Sequence, residues 1–349
     1  MVDRGLVSLD DPTDVNKHLP ELCEFQIVKG YTDEGDAILE DQAAKGTITL
    51  RMLLSHTSGK PTSALHGRFA DRSMPGLSYV RGDPLQRWMS DHAKRPFGFL
   101  APDASLDDYT YPLVFHPGTD WQYGFGLDWA AFLLERVTGE NIKEYYRKNI
   151  FEPCGMTSTG FLPTAAVKEK LMRMTYYDDD HIPRAFANSF TDGSLPRPEE
   201  ADSMGPVFSG GAGLFGTARD YLAFLRGVLA SSSRLRSAET MTKPLLSDAS
   251  FEELFRDVVS PEGKRSLMET MKRQTYHAPE LFEDESGKDI GHSVGLCLNL
   301  RDSSFGRKAG SGCCESTEAL TRALTKLYDS QGTAPPRHNT GSTRRRALL

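Results

Sequence analysis

A turn rich in glycine and aromatic residues reads Pro117-Gly118-Thr119-Asp120-Trp121-Gln122-Tyr123-Gly124-Phe125-Gly126. Glycine lets a backbone bend tightly and approach a ligand closely, so this turn can present the hydroxyl of Tyr123 to a small molecule. A tyrosine placed there can relay a proton when a nearby cation lowers its pKa from about 10. An aromatic turn packed on the core explains the same residues, and residue types alone favour that packing role.

Helical periodicity follows directly after the turn. Apolar residues recur at helical spacing from Leu127 to Val137, and Gly139 is placed to end the helix. Asn141 with Glu144 three residues later is spaced as a capping box for a second helix. The turn therefore leads into a pair of consecutive helices.

Two threonines predict further helix starts. Thr49 precedes a short apolar helix, and Thr217 precedes a longer one with Asp220 as its reciprocal capping partner. Near the end of the chain, residues 293–300 predict one buried strand, and residues 307–312 predict the start of a returning strand.

Composition limits the classes of partner. The 349 residues are enough for one large domain or two closely packed ones, and 38% hydrophobic with 26% charged residues is ordinary for a globular protein. A net charge of −7 gives no basic footprint for nucleic acid, and no window approaches the ~18 apolar residues of a membrane helix. The start of the sequence has no secretory pattern. We therefore expect a cytoplasmic protein with neither nucleic-acid nor membrane partners.

The usual motifs of metal and nucleotide chemistry are missing from the sequence. Its five cysteines form no C-x-x-C pair and no zinc spacing, which is typical of buried thiols in a reducing compartment. It contains no H-E-x-x-H, phosphate-binding loop or Ser-x-x-Lys. The acidic run at residues 178–181 predicts a surface loop, because consecutive residues seldom converge on one ion. We therefore expect no metal and no cofactor.

Four other features carry both a chemical and a plain interpretation. Ser55 beside His56 rarely forms a catalytic pair, since adjacent side chains diverge, so a polar turn that ends a helix is favoured. The glycines of residues 210–213 lack the Lys-Ser/Thr of a phosphate site, which favours a close-packed loop. His292 is either an active-site residue or, more commonly, a structural histidine. The sequence Gly310-Ser311-Gly312 fits one wall of a cleft and a plain turn equally well.

Four segments together, in order and spacing, resemble the serine β-lactamase-like family, which includes class C β-lactamases, esterases and fungal acyltransferases. They read TITLRMLLSHTSG at residues 47–59, FHPGTDWQYG at 115–124, FEPCGMTST at 151–159, and GGAGL with TARD at 210–220. The aromatic turn and the helix after it, Trp121-x-Tyr123-Gly124-x-Gly126-Leu127-Asp128-Trp129, look most like fungal polyketide transesterases of the lovastatin acyltransferase type.

This resemblance implies an α/β fold of the α+β type. The family has an antiparallel central sheet flanked by helices, plus an all-helical subdomain, and we expect residues 1–314 to form an incomplete domain of this kind. Residues 1–11 look like the end of the helix that bears Ser-x-x-Lys, so the resemblance implies that this motif and the first strands are lacking. Residues 315–349 predict a helix and a disordered basic tail outside the family pattern.

The family mechanism is covalent acyl transfer. A serine attacks the acyl donor, a lysine and a tyrosine move the proton, and backbone N–H groups stabilise the oxyanion. By resemblance, Tyr123 is the catalytic tyrosine, and Trp121, Phe125, Gly310 and Ser311 bind substrate. Phe125 replaces the asparagine that β-lactamases carry two residues after the tyrosine, which favours ester or thioester chemistry over lactam hydrolysis.

The expected function is therefore an acyltransferase. It would move an acyl group from acyl-CoA or a carrier-protein thioester to a hydroxyl of a small secondary metabolite, through a family serine that this sequence does not contain. Three alternatives stay open: an esterase of the same family, an inactive ligand-binding relative, and a β-lactamase or peptidase.

Overall fold

A computed structural model describes residues 1–60, 87–88, 91–92, 104–171, 175–177, 183–185, 207–235, 243–273, 289–302 and 308–313. In this part the α-helices are α1 Thr13–His18, α2 Glu21–Glu24, α3 Leu50–Leu54, α4 Gly126–Thr138, α5 Ile142–Tyr146, α6 Glu152–Cys154, α7 Ala165–Lys168, α8 Ala218–Leu229, α9 Asp248–Glu253 and α10 Pro261–Arg273. The strands are β1 Ile27–Tyr31, β2 Ala37–Glu40, β3 Thr175–Tyr177, β4 Pro183–Ala185, β5 Ile290–His292, β6 Cys297–Asn299 and β7 Gly312–Cys313. Short 3₁₀ turns lie at Val2–Arg4 and Leu106–Tyr109, and a π-helical turn lies at Arg147–Phe151.

Helix α4 is the centre of the main core. Trp129 and Leu133 on this helix are fully buried, and Leu53 of α3 packs against the same cluster. Gly126 lets the two helices touch, because a Cβ at this position would stand 2.0 Å from the carbonyl oxygen of Leu53. Gly139 ends α4 in the left-handed conformation with φ 69°, as its position in the sequence predicted.

Side-chain caps begin the three helices for which the sequence predicted a capping residue. The hydroxyl of Thr49 accepts a hydrogen bond from the Met52 amide at 3.2 Å, and Thr217 caps α8 in the same way. Asn141 caps α5 by accepting from the Lys143 amide at 2.9 Å. The predicted threonine and asparagine caps are confirmed.

Two side chains expected to complete capping boxes bind other partners. The Glu144 carboxylate, predicted to pair with Asn141 at the start of α5, accepts a hydrogen bond from the Arg147 side chain. The carboxylate of Asp220, expected to complete a box at its own helix, instead accepts from the Ser158 amide at 2.7 Å and the Thr159 hydroxyl at 2.8 Å. A carboxylate at a helix start takes whichever donors the fold brings close, and spacing along the chain does not show those donors.

The strands of the described part form three small antiparallel sheets. These are β1 with β2, β3 with β4, and a three-stranded sheet in the order β5-β6-β7. The prediction of one strand over residues 293–300 is wrong: the Ser293 hydroxyl accepts from the Leu296 amide in a turn, and only Cys297–Asn299 is extended. A return strand does form as β7 and pairs with β6, but it begins only at Gly312, and residues 308–311, predicted as its start, form a turn.

Helices packed with antiparallel sheets agree with the expected α+β class. The predicted helix and tail at residues 315–349, and the acidic run at 178–181, lie outside the described residues.

Candidate active site

The aromatic turn is aligned along the segment that follows α3. Backbone amides of Val114, Gly118 and Gln122 donate to the carbonyl oxygens of Gly59, Thr57 and His56 at 3.0, 2.7 and 3.0 Å. Gly59 has φ +82°, and a Cβ there would stand 2.4 Å from a backbone oxygen of the paired segment. The two family-like segments are therefore one structural unit.

Tyr123 lies half-buried at the tip of this unit. Its ring stands against the imidazole of His56, with ring centroids 4.5 Å apart and planes 41° apart. The Gly124 amide donates to His56 Nδ1 at 3.4 Å. The tyrosine thus contacts a histidine that also binds the next peptide group.

Trp121 belongs to a buried apolar cluster beside Tyr123. It is 1% exposed and packs in a cluster that Tyr123 also contacts. The other members come from the segment before α10, from α10 itself and from the three-stranded sheet: Val259, Leu267, Met268, Met271, Ile290 and Cys297. Its indole nitrogen has no hydrogen-bond partner among the described residues. The sheet that carries His292 therefore lies against the tyrosine turn.

Two buried histidines complete this cluster. The rings of His56 and His292 meet edge to face, with centroids 5.4 Å apart, and the Trp121 ring lies 5.7 Å from that of His292. Burial lowers the pKa of His56 well below its usual range, and the neighbouring His292 lowers it further. Burial also lowers the pKa of His292 to about 4. Both imidazoles are therefore neutral at physiological pH.

The remaining sequence-predicted site residues lie in other places. Phe125 is 3% exposed in the main core, stacked on Tyr111 and edge-on to Tyr109, so its side chain lies in a different cluster from Tyr123. Its predicted substrate contact remains a prediction.

Gly310 and Ser311 form a turn just before β7. Gly310 has φ +78° and is exposed, and its amide donates to the carbonyl of Asn299 at 2.8 Å. The hydroxyl of Ser311 accepts from the Asn299 side-chain amide at 2.9 Å. These contacts fit the plain-turn interpretation, and the predicted role of both residues in substrate binding remains a prediction.

The glycine-rich loop encloses a buried carboxylate instead of a phosphate. Asp128 on α4 accepts hydrogen bonds from the Ser209 hydroxyl at 2.6 Å and from the Gly211 amide at 3.1 Å. A Cβ at Gly210 would stand 2.6 Å from the Ala131 Cβ, so the loop lies directly on α4. The predicted close-packed loop is confirmed.

Within the described ranges, no group of three or more His, Cys, Asp or Glu residues has a metal-binding arrangement. None of the helices found there combines the length and apolarity needed to cross a bilayer.

Comparison with known proteins places this site in a family. The beta-lactamase family model matches residues 1–283. The chain belongs to the beta-lactamase family. The tyrosine turn, the segment after α3 and the glycine-rich loop all fall inside that match, so the beta-lactamase resemblance of these segments is confirmed.

Two curated relatives are similar to this chain over different lengths. The chain is 31% identical over 302 residues to the lovastatin esterase of Penicillium rubens, which covers 86% of this chain and 66% of the esterase. It is 37% identical over 163 residues to the ML-236A carboxylate methylbutanoyltransferase of Penicillium citrinum, which covers 46% of this chain and 33% of that relative. The chain thus spans a third to two thirds of the length of these relatives.

One solved structure agrees with this fold. Simvastatin synthase from Aspergillus terreus superposes with a TM-score of 0.63 and 23% identity, over 86% of this chain and 61% of that one. The expected β-lactamase/transpeptidase-like fold is therefore shown.

Sequence reasoning missed the contacts of His56 with Tyr123 and Gly124. It considered a catalytic pair of Ser55 and His56, and once that pair was rejected, the histidine was interpreted only as part of a polar turn. Its only signal in the sequence was its place in the HTSG segment, because its partners lie far along the chain: the Gly124 amide that binds it is 68 residues away.

Proposed function

We propose that this beta-lactamase family protein is an acyltransferase and that Tyr123 relays protons in it. The acyl group moves from a thioester, on coenzyme A or on a carrier protein, to a hydroxyl of a small secondary metabolite. The observation that carries this proposal is the fixed, half-buried position of Tyr123 in the turn that the family uses for its tyrosine.

Names of the relatives support the reaction class. Several are called acyltransferases or methylbutanoyltransferases, including that of Penicillium citrinum described above. The substrate-binding roles proposed for Trp121, Phe125, Gly310 and Ser311 belong to the same hypothesis.

The overall reaction is balanced without a cofactor. The acyl–sulfur bond breaks, the acyl–oxygen bond forms, and the proton of the acceptor hydroxyl goes to the thiolate that leaves. A phenol beside the reacting atoms can carry this proton in both directions. The printed sequence contains no Ser-x-x-Lys, so the proposal assigns the nucleophile to none of its residues.

A cytoplasmic location is part of this proposal. Cys23, Cys154 and Cys297 are all free thiols, which fits a reducing compartment, where acyl-CoA and carrier-protein thioesters are made.

The test uses the protein translated from the native transcript, an acyl-CoA or acyl N-acetylcysteamine thioester, and a hydroxylated polyketide acceptor. Mass spectrometry measures the ester product and the free acid. We expect ester formation to exceed hydrolysis, and Tyr123→Phe to lower kcat by about 10²-fold or more. Tyr146→Phe is the matched control, since this tyrosine packs with Phe161 in a different cluster, and it should retain wild-type kcat.

Other outcomes select between the alternatives. Unchanged kcat in Tyr123→Phe excludes Tyr123 from the relay. Free acid as the sole product, even with acceptor in excess, identifies an esterase, the activity named for the relative from Penicillium rubens. Thioester binding without turnover identifies the ligand-binding relative.

A further inference from the structure

We propose that His56 is a positioning residue that holds Tyr123 by accepting hydrogen bonds from the backbone N–H groups of Gln122 and Gly124, the residues before and after it. This inference rests on the role of Tyr123 in the proposed function, and it adds a residue to the same site. Nothing in the chemistry requires His56 to touch the substrate.

His56 supplies both hydrogen-bond acceptors, and we call this pair of hydrogen bonds the clamp. The Gln122 amide donates to the carbonyl oxygen of His56 at 3.0 Å, and the Gly124 amide donates to its Nδ1 at 3.4 Å. The first of these N–H groups belongs to the peptide between Trp121 and Gln122, and the second to the peptide between Tyr123 and Gly124. Fixing both peptide planes restrains the backbone of Gln122 and Tyr123 together, and the tyrosine ring then lies 4.5 Å from the imidazole.

The backbone of His56 gives a second, independent observation. Its φ of 61° is the only positive value at a residue other than glycine in the described part of the chain. A side chain in this conformation is strained, and such strain persists where the surroundings maintain it, often at functional sites. Glycine would meet the conformational demand without strain, so the histidine side chain must supply something that glycine cannot.

Hydrogen bonds to the backbone fix which nitrogen of each imidazole carries the proton. Nδ1 of His56 accepts from an amide, so its proton is on Nε2. Nδ1 of His292 lies 2.7 Å from the Ser293 carbonyl, which only accepts, so that nitrogen carries the proton. A protonated His56 would turn an N–H towards the Gly124 N–H and lose the clamp. The clamp therefore needs the neutral imidazole that burial favours.

The groups around His56 and His292 leave both imidazoles neutral. The Asp257 carboxylate accepts from the His292 amide at 3.2 Å and pairs with Lys264 at 2.5 Å. Burial lowers the pKa of His292 and outweighs Asp257, which acts to raise it. On the other side, Tyr123 and Trp121 present rings to His56.

Two variants separate the side chain from the strained backbone. His56→Gly keeps the carbonyl acceptor and relieves the strain but removes Nδ1. His56→Asn tolerates the left-handed conformation and places an amide oxygen near the position of Nδ1. We expect His56→Gly to lower kcat by about 10²-fold with little change in KM, as a displaced catalytic group does. His56→Asn should recover at least a tenth of the wild-type kcat.

A readout without turnover keeps this test independent of the proposed function. Fluorine NMR of protein labelled with 3-fluorotyrosine reports the environment of Tyr123, and the resonance is assigned by its loss in Tyr123→Phe. In His56→Gly the Tyr123 resonance should shift and its pH titration change, while the Tyr146 resonance stays in place. Urea unfolding checks that each variant is folded, and if the glycine variant is not, His56→Gln, which lacks an acceptor at Nδ1, takes its place.

The outcomes are distinct. An unchanged Tyr123 resonance and wild-type kcat in a folded His56→Gly or His56→Gln overturn the positioning role. A shifted resonance in that variant, together with unchanged kcat in Tyr123→Phe, supports positioning and overturns the relay. Loss of kcat in His56→Gly with an unmoved Tyr123 resonance also overturns the clamp, since the histidine would then act by another route.

Discussion

Ser209 donates a hydrogen bond to the carboxylate of Asp128 at 2.6 Å, although 81 residues separate the two along the chain. Asp128 is 3% exposed, and burial raises its pKa to about 6 in spite of the hydrogen bonds from Ser209 and Gly211. This single carboxylate joins the glycine-rich loop to the helix that follows the tyrosine turn.

We predict that Asp128 makes the fold more stable in mild acid. Between its unfolded pKa near 4 and its folded pKa of about 6, the folded state holds a proton that the unfolded state lacks. The contribution of this group is therefore present at pH 4 and is lost as pH rises to 6, by on the order of 3 kcal/mol. Urea unfolding of wild type and Asp128→Asn at pH 4 and 6.5 measures it. A constant difference between the two proteins would contradict the prediction.

The contribution of His292 to stability should change with pH in the opposite direction. Its folded pKa is about 4, below the usual 6.5, so between these values the unfolded state takes up a proton that the folded state refuses. Its contribution falls as pH falls from 6.5 to 4, by on the order of 3 kcal/mol. His292→Gln should therefore lose less stability in acid than wild type does. Equal slopes in the same urea series would exclude this role.

We predict that the buried amine of Lys60 makes stability depend on pH in the alkaline range. Its amine is buried, lies 3.0 Å from the Phe25 ring centroid and donates to the Tyr111 carbonyl at 2.7 Å. Burial lowers its pKa well below the usual 10.5. Where the folded amine is neutral and the unfolded one charged, stability rises with pH by about 1.4 kcal/mol per unit.

Lys60→Met should remove this rise. Its stability relative to wild type should be greatest at pH 7 and decline towards pH 9 in urea unfolding. Lys45→Met, at a side chain that is 52% exposed, is the control and should follow the wild-type slope. The same slope in all three proteins would mean that the Lys60 amine keeps its charge in the fold.

Gly126 should tolerate no side chain. An alanine Cβ would stand 2.0 Å from the Leu53 carbonyl oxygen and force α3 and α4 apart, at a cost of about 3 kcal/mol or more. Gly139→Ala is the matched control, because its Cβ meets nothing within 4 Å and only the left-handed backbone costs about 1–2 kcal/mol. Thermal unfolding compares the two. Equal losses would show that the helices can separate without strain.

Local signals in the sequence predicted the local structure well. Thr49, Asn141 and Thr217 cap helices, and Gly139 ends one, because capping depends on residues within one turn of each other. The lack of a Lys-Ser/Thr pair after the glycines correctly predicted a close-packed loop, whereas the catalytic role of Tyr123 stays a prediction.

Features that depend on contacts distant in sequence could not be predicted. The clamp by His56, the burial of Lys60 and the donors to Asp220 all depend on segments that the fold brings together. The turn at residues 293–296 was also missed, since its apolar flanks fit a single strand as well as a hairpin.

The order of residues around Tyr123 has a consequence for biosynthesis. A ribosome makes His56 before the tyrosine turn, so the clamp can form as soon as that turn emerges. The residues that pack around Trp121 lie between positions 259 and 297, so the ribosome makes them much later. During that interval the aromatic residues of the turn lack the side chains that cover them in the folded protein, and exposed apolar surface of this kind is what chaperones cover on growing polypeptides.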